Sequence, residues 1–171
     1  MRKLVLFFIL LACPALAAEK PSAIAPYINA ETPYGQGTMS RLMIKAYDAV
    51  LWTDAAKWSL NVPFALTLHY RMGFDKKDLV QRSVKEIQHA SALSKKQGAS
   101  YAKQLSAIFP AVKSGDEITA FFVPEKGIKF FYNNQPSGEI TDLTFAKRFV
   151  GIWLAPTTTE PSLRKALLGG K

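Results

Sequence analysis

The chain is poor in the residues that most often carry chemistry. It has one cysteine, Cys13, and two histidines, His69 and His89, twenty positions apart, among 171 residues. One cysteine excludes an internal disulfide, so the core must supply the stability. Two separated histidines without thiols make a zinc or haem centre an unpromising reading, and no metal or other cofactor is expected. The same scarcity argues against a Ser-His-Asp hydrolase, and the sequence has no G-x-S-x-G elbow. Gly35-Gln-Gly37 is a bare G-x-G without the surroundings of a phosphate-binding loop. Lys76-Lys77, Lys95-Lys96 and Lys147-Arg148 are the longest basic runs, and none is interleaved with base-stacking aromatics, so nucleic acid is not an expected partner.

No apolar run reaches the ~20 residues that span a bilayer. The longest, Leu4–Ala12, follows Arg2 and Lys3 and precedes Pro14 and the small-x-small series Ala15-Leu16-Ala17. That is the pattern of a cleaved export signal over residues 1–17, and it predicts a periplasmic protein. Leu10-Leu11-Ala12-Cys13 offers an alternative, a lipoprotein anchored through Cys13. Cleavage behind Ala17 leaves about 150 residues, enough for one domain with a sizeable core. Taking Arg2 and Lys3 from the 22 basic residues leaves 20 against 13 acidic, a net charge of +7. An excess of that sign suits acidic ligands and weak contact with anionic envelope surfaces.

What the chain has in quantity is apolar and aromatic residues, 49% and 12%, with eleven Phe. Residues 18–34 read as an arm with room for one edge strand, and residues 35–171 as the domain. Gly37 to Thr53 reads as two short strands or one bent strand. Phe64 to Met72 alternates, with Leu66, Leu68 and Tyr70 on one face and Thr67, His69 and Arg71 on the other. Asp75 is placed to cap a helix carrying Val80, Val84 and Ile87. Gly98 is expected to interrupt it before a second helix with Ala102, Leu105, Ile108 and Phe109. Glu117 to Val123 and Ile128 to Tyr132 read as strands, and Asn133 to Gly138 as a tight connection. Asp142 or Thr141 caps a helix with Phe145, Phe149, Ile152 and Trp153, and Pro161 opens a last helix that ends before Gly169. Strands, two helices, strands and two helices predict an α+β fold on a mainly antiparallel sheet.

Arg41, Tyr47, Tyr70 and Arg71 are placed to border a cavity lined by Phe and Leu, and an apolar pocket with one guanidinium suits an amphiphilic acid. Asp48 and Asp54 could pair as acid and base. Ordinary surface arginines, core-rim tyrosines and solvated carboxylates are the simpler account of the same residues.

Six segments in order resemble the exported bacterial branch of the chalcone isomerase-like family. They are Gly35-Gln-Gly37, IKAYDAVLW, PFALTLHYR, FPAVKSGD with its following strand, the PEKG hairpin, and FAKRFVGIWLAP through PSLRKALLG. The resemblance spans Gly35 to Gly169. It implies an open-faced β-sandwich, an antiparallel sheet with helices on one face and a ligand cleft between them. Enzymes of the family close a flavanone ring with the help of a cleft arginine, and relatives without that activity bind fatty acids through Arg and Tyr. The enzymes' arginine follows the G-x-G by two positions, which here is Met39. Arg41 has the same strand parity but lies ~7 Å further along at ~3.3 Å per residue. The enzymes' strand threonine falls at Lys45 and their later Ser/Thr at Ile152. Tyr47 matches a tyrosine of the exported branch, and Tyr101 stands nearest to the enzymes' tyrosine.

Losing a preorganised cation costs several kcal/mol of transition-state stabilisation, so the resemblance implies a non-catalytic protein holding a small amphiphilic or fatty acid near Met39, Arg41, Tyr47, Tyr101 and Ile152. The alternatives are an isomerase or lyase on another substrate, or an envelope interaction protein whose cleft is filled by its own side chains.

Overall fold

The structure, a computed structural model, describes residues 18–170. The expected signal segment, Cys13 included, lies outside them. Six strands form one sheet in sequential order, every neighbouring pair antiparallel. They are β1 (Gly35–Arg41), β2 (Ile44–Trp52), β3 (Phe64–Tyr70), β4 (Glu117–Val123), β5 (Gly127–Tyr132) and β6 (Gln135–Ile140). Between β3 and β4 come α1 (Lys76–Ala90) and α2 (Lys95–Ile108), and after β6 come α3 (Leu143–Leu154) and α4 (Pro161–Leu167). No described helix is long and apolar enough to cross a membrane.

The period-2 alternation of the strands sends one set of side chains to each face. Leu66, Leu68 and Tyr70 of β3 join Ala49 and Leu51 of β2 and Phe130 of β5 in the main core beneath the helices. Helix α3 supplies the other wall. Asp142 caps it, accepting from the Thr144 and Phe145 N–H groups at 2.9 and 3.0 Å. Its buried stripe then sets Phe149 edge-on to Phe130 and Trp153, with centroids 5.1 and 5.5 Å apart.

The rear face is not bare. Val50, Trp52, Ala65, Phe121 and Phe131 are covered by Ile24 and Ile28 of the arm, both almost fully buried. The arm holds a 3-10 turn at Ser22–Ile24 and, among its described residues, no strand. Asp54 fastens it, accepting from the Asn29 and Ala30 N–H groups at 3.1 and 2.6 Å.

Two boundaries differ from the sequence reading. Gly98 does not interrupt a helix; it lies in the first turn of α2. The break falls at Ser91–Ser94, where Ser94 and Gln97 form a reciprocal capping box. The segment after Asn133 is a sixth strand. Only the Asn133-Asn134 pair turns, both with positive φ, as a two-residue hairpin requires. Gln135–Ile140 looks like a loop because it is an exposed edge carrying Pro136 and Gly138, both tolerated there.

Candidate functional site

A cavity of about 500 Å³ lies between the front of the sheet and the helices. Its floor comes from Leu66, Leu68, Ile118 and Ala120, and its far wall from Phe149, Ile152 and Trp153. Helix α1 contributes a third side through Leu79, Arg82, Ser83 and Glu86. The volume falls in the range of small-molecule sites. The packed side chains leave this space open, so a cleft filled by its own residues is not what the fold contains.

Two tyrosines bring polarity to the cavity. Tyr47 accepts a hydrogen bond from Trp153 Nε1 at 3.0 Å, which leaves its own O–H free to donate. Burial pushes its pKa up to about 12, with the indole bond pulling slightly the other way. Burial also raises Tyr70, which has no side-chain hydrogen-bond partner among the described residues. Both phenols are therefore protonated donors at neutral pH. Their rings meet edge to face at 6.0 Å.

The charged groups sit at the rim. Arg82 Nε pairs with Glu86 at 2.7 Å, and Thr159 Oγ1 donates to the other Glu86 oxygen at 2.8 Å. Asp78 and Glu160 complete the acidic side. Arg41 stands at the mouth, exposed, with no ion-pair partner among the described residues. A break in register after Met39 leaves Ala46 as an extra residue on β2, so Ile44, Ala46 and Tyr47 all reach the cavity beside Met39 and Arg41.

Of the residues singled out from sequence, Met39, Arg41, Tyr47 and Ile152 line this cavity together. Tyr101 does not. It is buried between α2 and α3, edge-on to Phe145 at 4.6 Å, and its hydroxyl accepts from Arg148 at 3.1 Å. Arg71 does not border the cavity either. Strand alternation turns it to the rear face, where it pairs with Asp48, which also accepts from Thr38 Oγ1 at 2.6 Å. Asp48 and Asp54 thus make no acid–base pair, since Asp54 is spent on the arm. The hydrogen bonds it accepts from the Asn29 and Ala30 backbone hold it below the ordinary carboxylate value.

Arg82 and Glu86 escaped the sequence reading. Leu79, Arg82, Ser83 and Glu86 recur at helical spacing, one stripe round from Val80, Val84 and Ile87, and a half-polar stripe beside an apolar one is the signal that marks them.

The remaining candidates have structural employment. A Cβ on Gly35 would lie 2.2 Å from the Leu167 carbonyl oxygen, and one on Gly37 would lie 2.8 Å from Leu163 Cδ1. The G-x-G is the seat of α4. His69 Nδ1 lies 3.2 Å from Glu117 on the rear face; burial lowers the histidine and raises the carboxylate. Among the described residues no cluster of His, Cys, Asp or Glu is arranged to hold a metal ion.

A six-stranded meander sheet with four helices, and between them an apolar cavity bearing two buried tyrosines, is the architecture of the chalcone isomerase kind. The family model described as chalcone isomerase-like matches residues 33–169, and the chain belongs to that family. It is 28% identical over 145 residues to an uncharacterized protein of Haemophilus influenzae, covering 84% of this chain and 67% of the relative. The fold is similar to that of a fatty-acid binding protein of Arabidopsis thaliana, with a TM-score of 0.64 at 8% identity, over 81% of this chain and 87% of that one. At that identity the likeness concerns the fold alone.

Proposed function

We propose that this protein binds a small amphiphilic acid of the fatty-acid type in the cavity, without catalysis, and that it does so in the periplasm. The observation that carries the reading is the pairing of an apolar chamber with two protonated phenols and a guanidinium at its mouth that has no ion-pair partner among the described residues. The chamber takes a chain, while Tyr47, Tyr70 and Arg41 offer donors to a carboxylate. Glu86 is already engaged by Arg82 and Thr159, which leaves less acidic charge to repel that headgroup.

A cyclase is not favoured by this lining. Met39 is 7% exposed and puts a thioether beside Tyr47, where the resemblance would have the enzymes' arginine. The Arabidopsis protein of similar fold is named a fatty-acid binding protein, which fits the same reading.

Native mass spectrometry after mild purification is expected to show co-purifying acid, and delipidated protein should bind palmitate more tightly than its methyl ester. Arg41→Ala should weaken palmitate binding several-fold. Clean protein with no affinity for palmitate, and no effect of Arg41→Ala, would defeat the proposal. The export arm of the proposal rests on residues 1–17. The intact mass of protein recovered from the periplasm should begin at Ala18, whereas a mass that starts at a lipidated Cys13 would replace it with the anchored form.

A further inference from the structure

The turn between β1 and β2 is built against convention. Leu42 and Met43 both have positive φ, 49° and 67°, in a two-residue hairpin turn. Such turns favour Asn and Gly, because longer side chains strain that backbone. Neither residue recovers anything by packing, since Leu42 is 90% exposed and Met43 99%. Ile44 and Met72 beside them are 59% and 38% exposed. Leu42, Ile44 and Met72 also line the cavity, so this apolar tip is its mouth. Arg41 and Lys45 flank the tip, both exposed, and no carboxylate occurs between Ser40 and Tyr47. The nearest along the strand, Asp48, is already paired with Arg71.

We infer that the β1–β2 tip docks on an anionic lipid bilayer, with Leu42 and Met43 entering the acyl boundary and Arg41 and Lys45 at the headgroups. Exposed apolar side chains ringed by cations match the layering of such a surface, apolar below and negative above. A second protein is a poorer fit. Four side chains at a hairpin end present far less than the ~800 Å² per partner of a stable interface. The docking stands on the tip itself; that it loads the cavity directly from the bilayer rests on the ligand reading proposed above.

Vesicle sedimentation tests the docking with the full mature chain. Binding to phosphatidylethanolamine–phosphatidylglycerol vesicles should exceed binding to phosphatidylcholine vesicles and weaken with salt. Met43→Asn suits the positive φ and lies outside the cavity lining, so the hairpin should keep its fold and its palmitate affinity in vesicle-free solution. Its vesicle binding should fall about tenfold. Lys45→Gln should cost about fivefold on anionic vesicles and little on neutral ones. In Met43→Trp, the emission of the added indole, taken as the difference from wild type, should shift to the blue when anionic vesicles are added. Unchanged vesicle binding by Met43→Asn, or an unshifted difference emission from Met43→Trp, would overturn the inference. So would a concentration-dependent dimer that Met43→Asn abolishes, which would make the tip a contact between copies. If the tip docks and palmitate does not bind, the docking stands and the ligand reading falls.

Discussion

Two glycine substitutions separate the parts of the fold that depend on close approach from those that do not. In Gly35→Ala, the new methyl would sit 2.2 Å from the Leu167 carbonyl oxygen and 2.5 Å from that of Ala166. Ordinary contact begins at 3.4 Å, so α4 must withdraw by roughly 1.2 Å or β1 must bend. The obstacle is backbone, which cannot rotate away as a side-chain end can. Overpacking of this kind costs about 1–3 kcal/mol. The ceiling is set by letting α4 go, which exposes Leu163 and Leu167 at about 1.5–3 kcal/mol each. Withdrawal is the cheaper response, so the lower range applies. For a domain of this size it lowers Tm by about 3–10 °C. Gly98→Ala is the counterpart. Its methyl would meet Val84 Cγ1 at 3.7 Å, an ordinary contact, inside the first turn of α2. There alanine should stabilise by about 0.5–1 kcal/mol, because it restricts the unfolded chain more than the folded one. Urea and thermal unfolding of the two variants should move in opposite directions from the wild type. A Gly35→Ala protein as stable as the wild type would refute the reading of the G-x-G as a helix seat. A destabilised Gly98→Ala protein would refute the placement of that glycine within a helix.

Other expectations follow from single side chains. Tyr47→Phe removes the acceptor of Trp153 Nε1 and one donor to the cavity; unfolding should show a loss of about 1–3 kcal/mol, and calorimetric titration a weaker palmitate affinity. Ala120→Phe sends a ring from the cavity floor into the open space, so palmitate binding should fall sharply while the urea midpoint changes little. Asp116 accepts from Asn133 Nδ2, the Lys113 N–H and the Tyr132 hydroxyl, at 3.0, 2.9 and 2.8 Å. The Asn133 bond first, then the Lys113 bond, hold it below its ordinary value of 3.8. A lowered folded-state pKa makes its contribution complete above 3.8 and lost as pH falls through the lower folded value. Asp116→Asn should therefore be less stable at neutral pH and show a flatter acid limb in urea midpoints measured down through the carboxylate range.

The four helices were legible because each buries one stripe, and that writes a period into the sequence. The strands β1 to β5 were legible as runs of β-forming residues between turn signals, although β3 and β4 are buried on both faces. Where neither signal was present the element was hidden. β6 has a polar, exposed outer edge, and its Pro136 and Gly138 are turn residues in most settings. Gly138 is there for a packing reason, since a Cβ would come within 2.7 Å of Ile108 Cγ1 at the end of α2. The arm faded for the opposite reason. Ile24 and Ile28 are almost fully buried, yet they are four residues apart in a segment rich in Ala and Pro. Nothing local reveals that they cover Trp52 and Phe121 on the rear of the sheet.

The site was legible one strand at a time and illegible across elements. Strand parity put Met39, Arg41 and Tyr47 on the cavity side and Tyr70 and Arg71 on opposite faces of β3, so grouping Arg71 with the cavity residues went against the alternation that the sheet obeys. Tyr101 shows the same limit from the helix side. Its position in α2 is sound, yet α3 comes between it and the cavity function expected of it, and the Arg148 guanidinium takes its hydroxyl. The residues that replace it, Arg82 and Glu86, sit on α1, and their role follows only from how α1 crosses the sheet. The motif residues divide along this line. Gly35, Gly37 and Asp116 make the backbone fit together, seating α4 and tying the β4–β5 ends. The cavity's own chemistry lies in Tyr47, Tyr70 and the arginines at its rim. A resemblance carried by the first group therefore establishes the fold well, while any ligand preference would rest with the second.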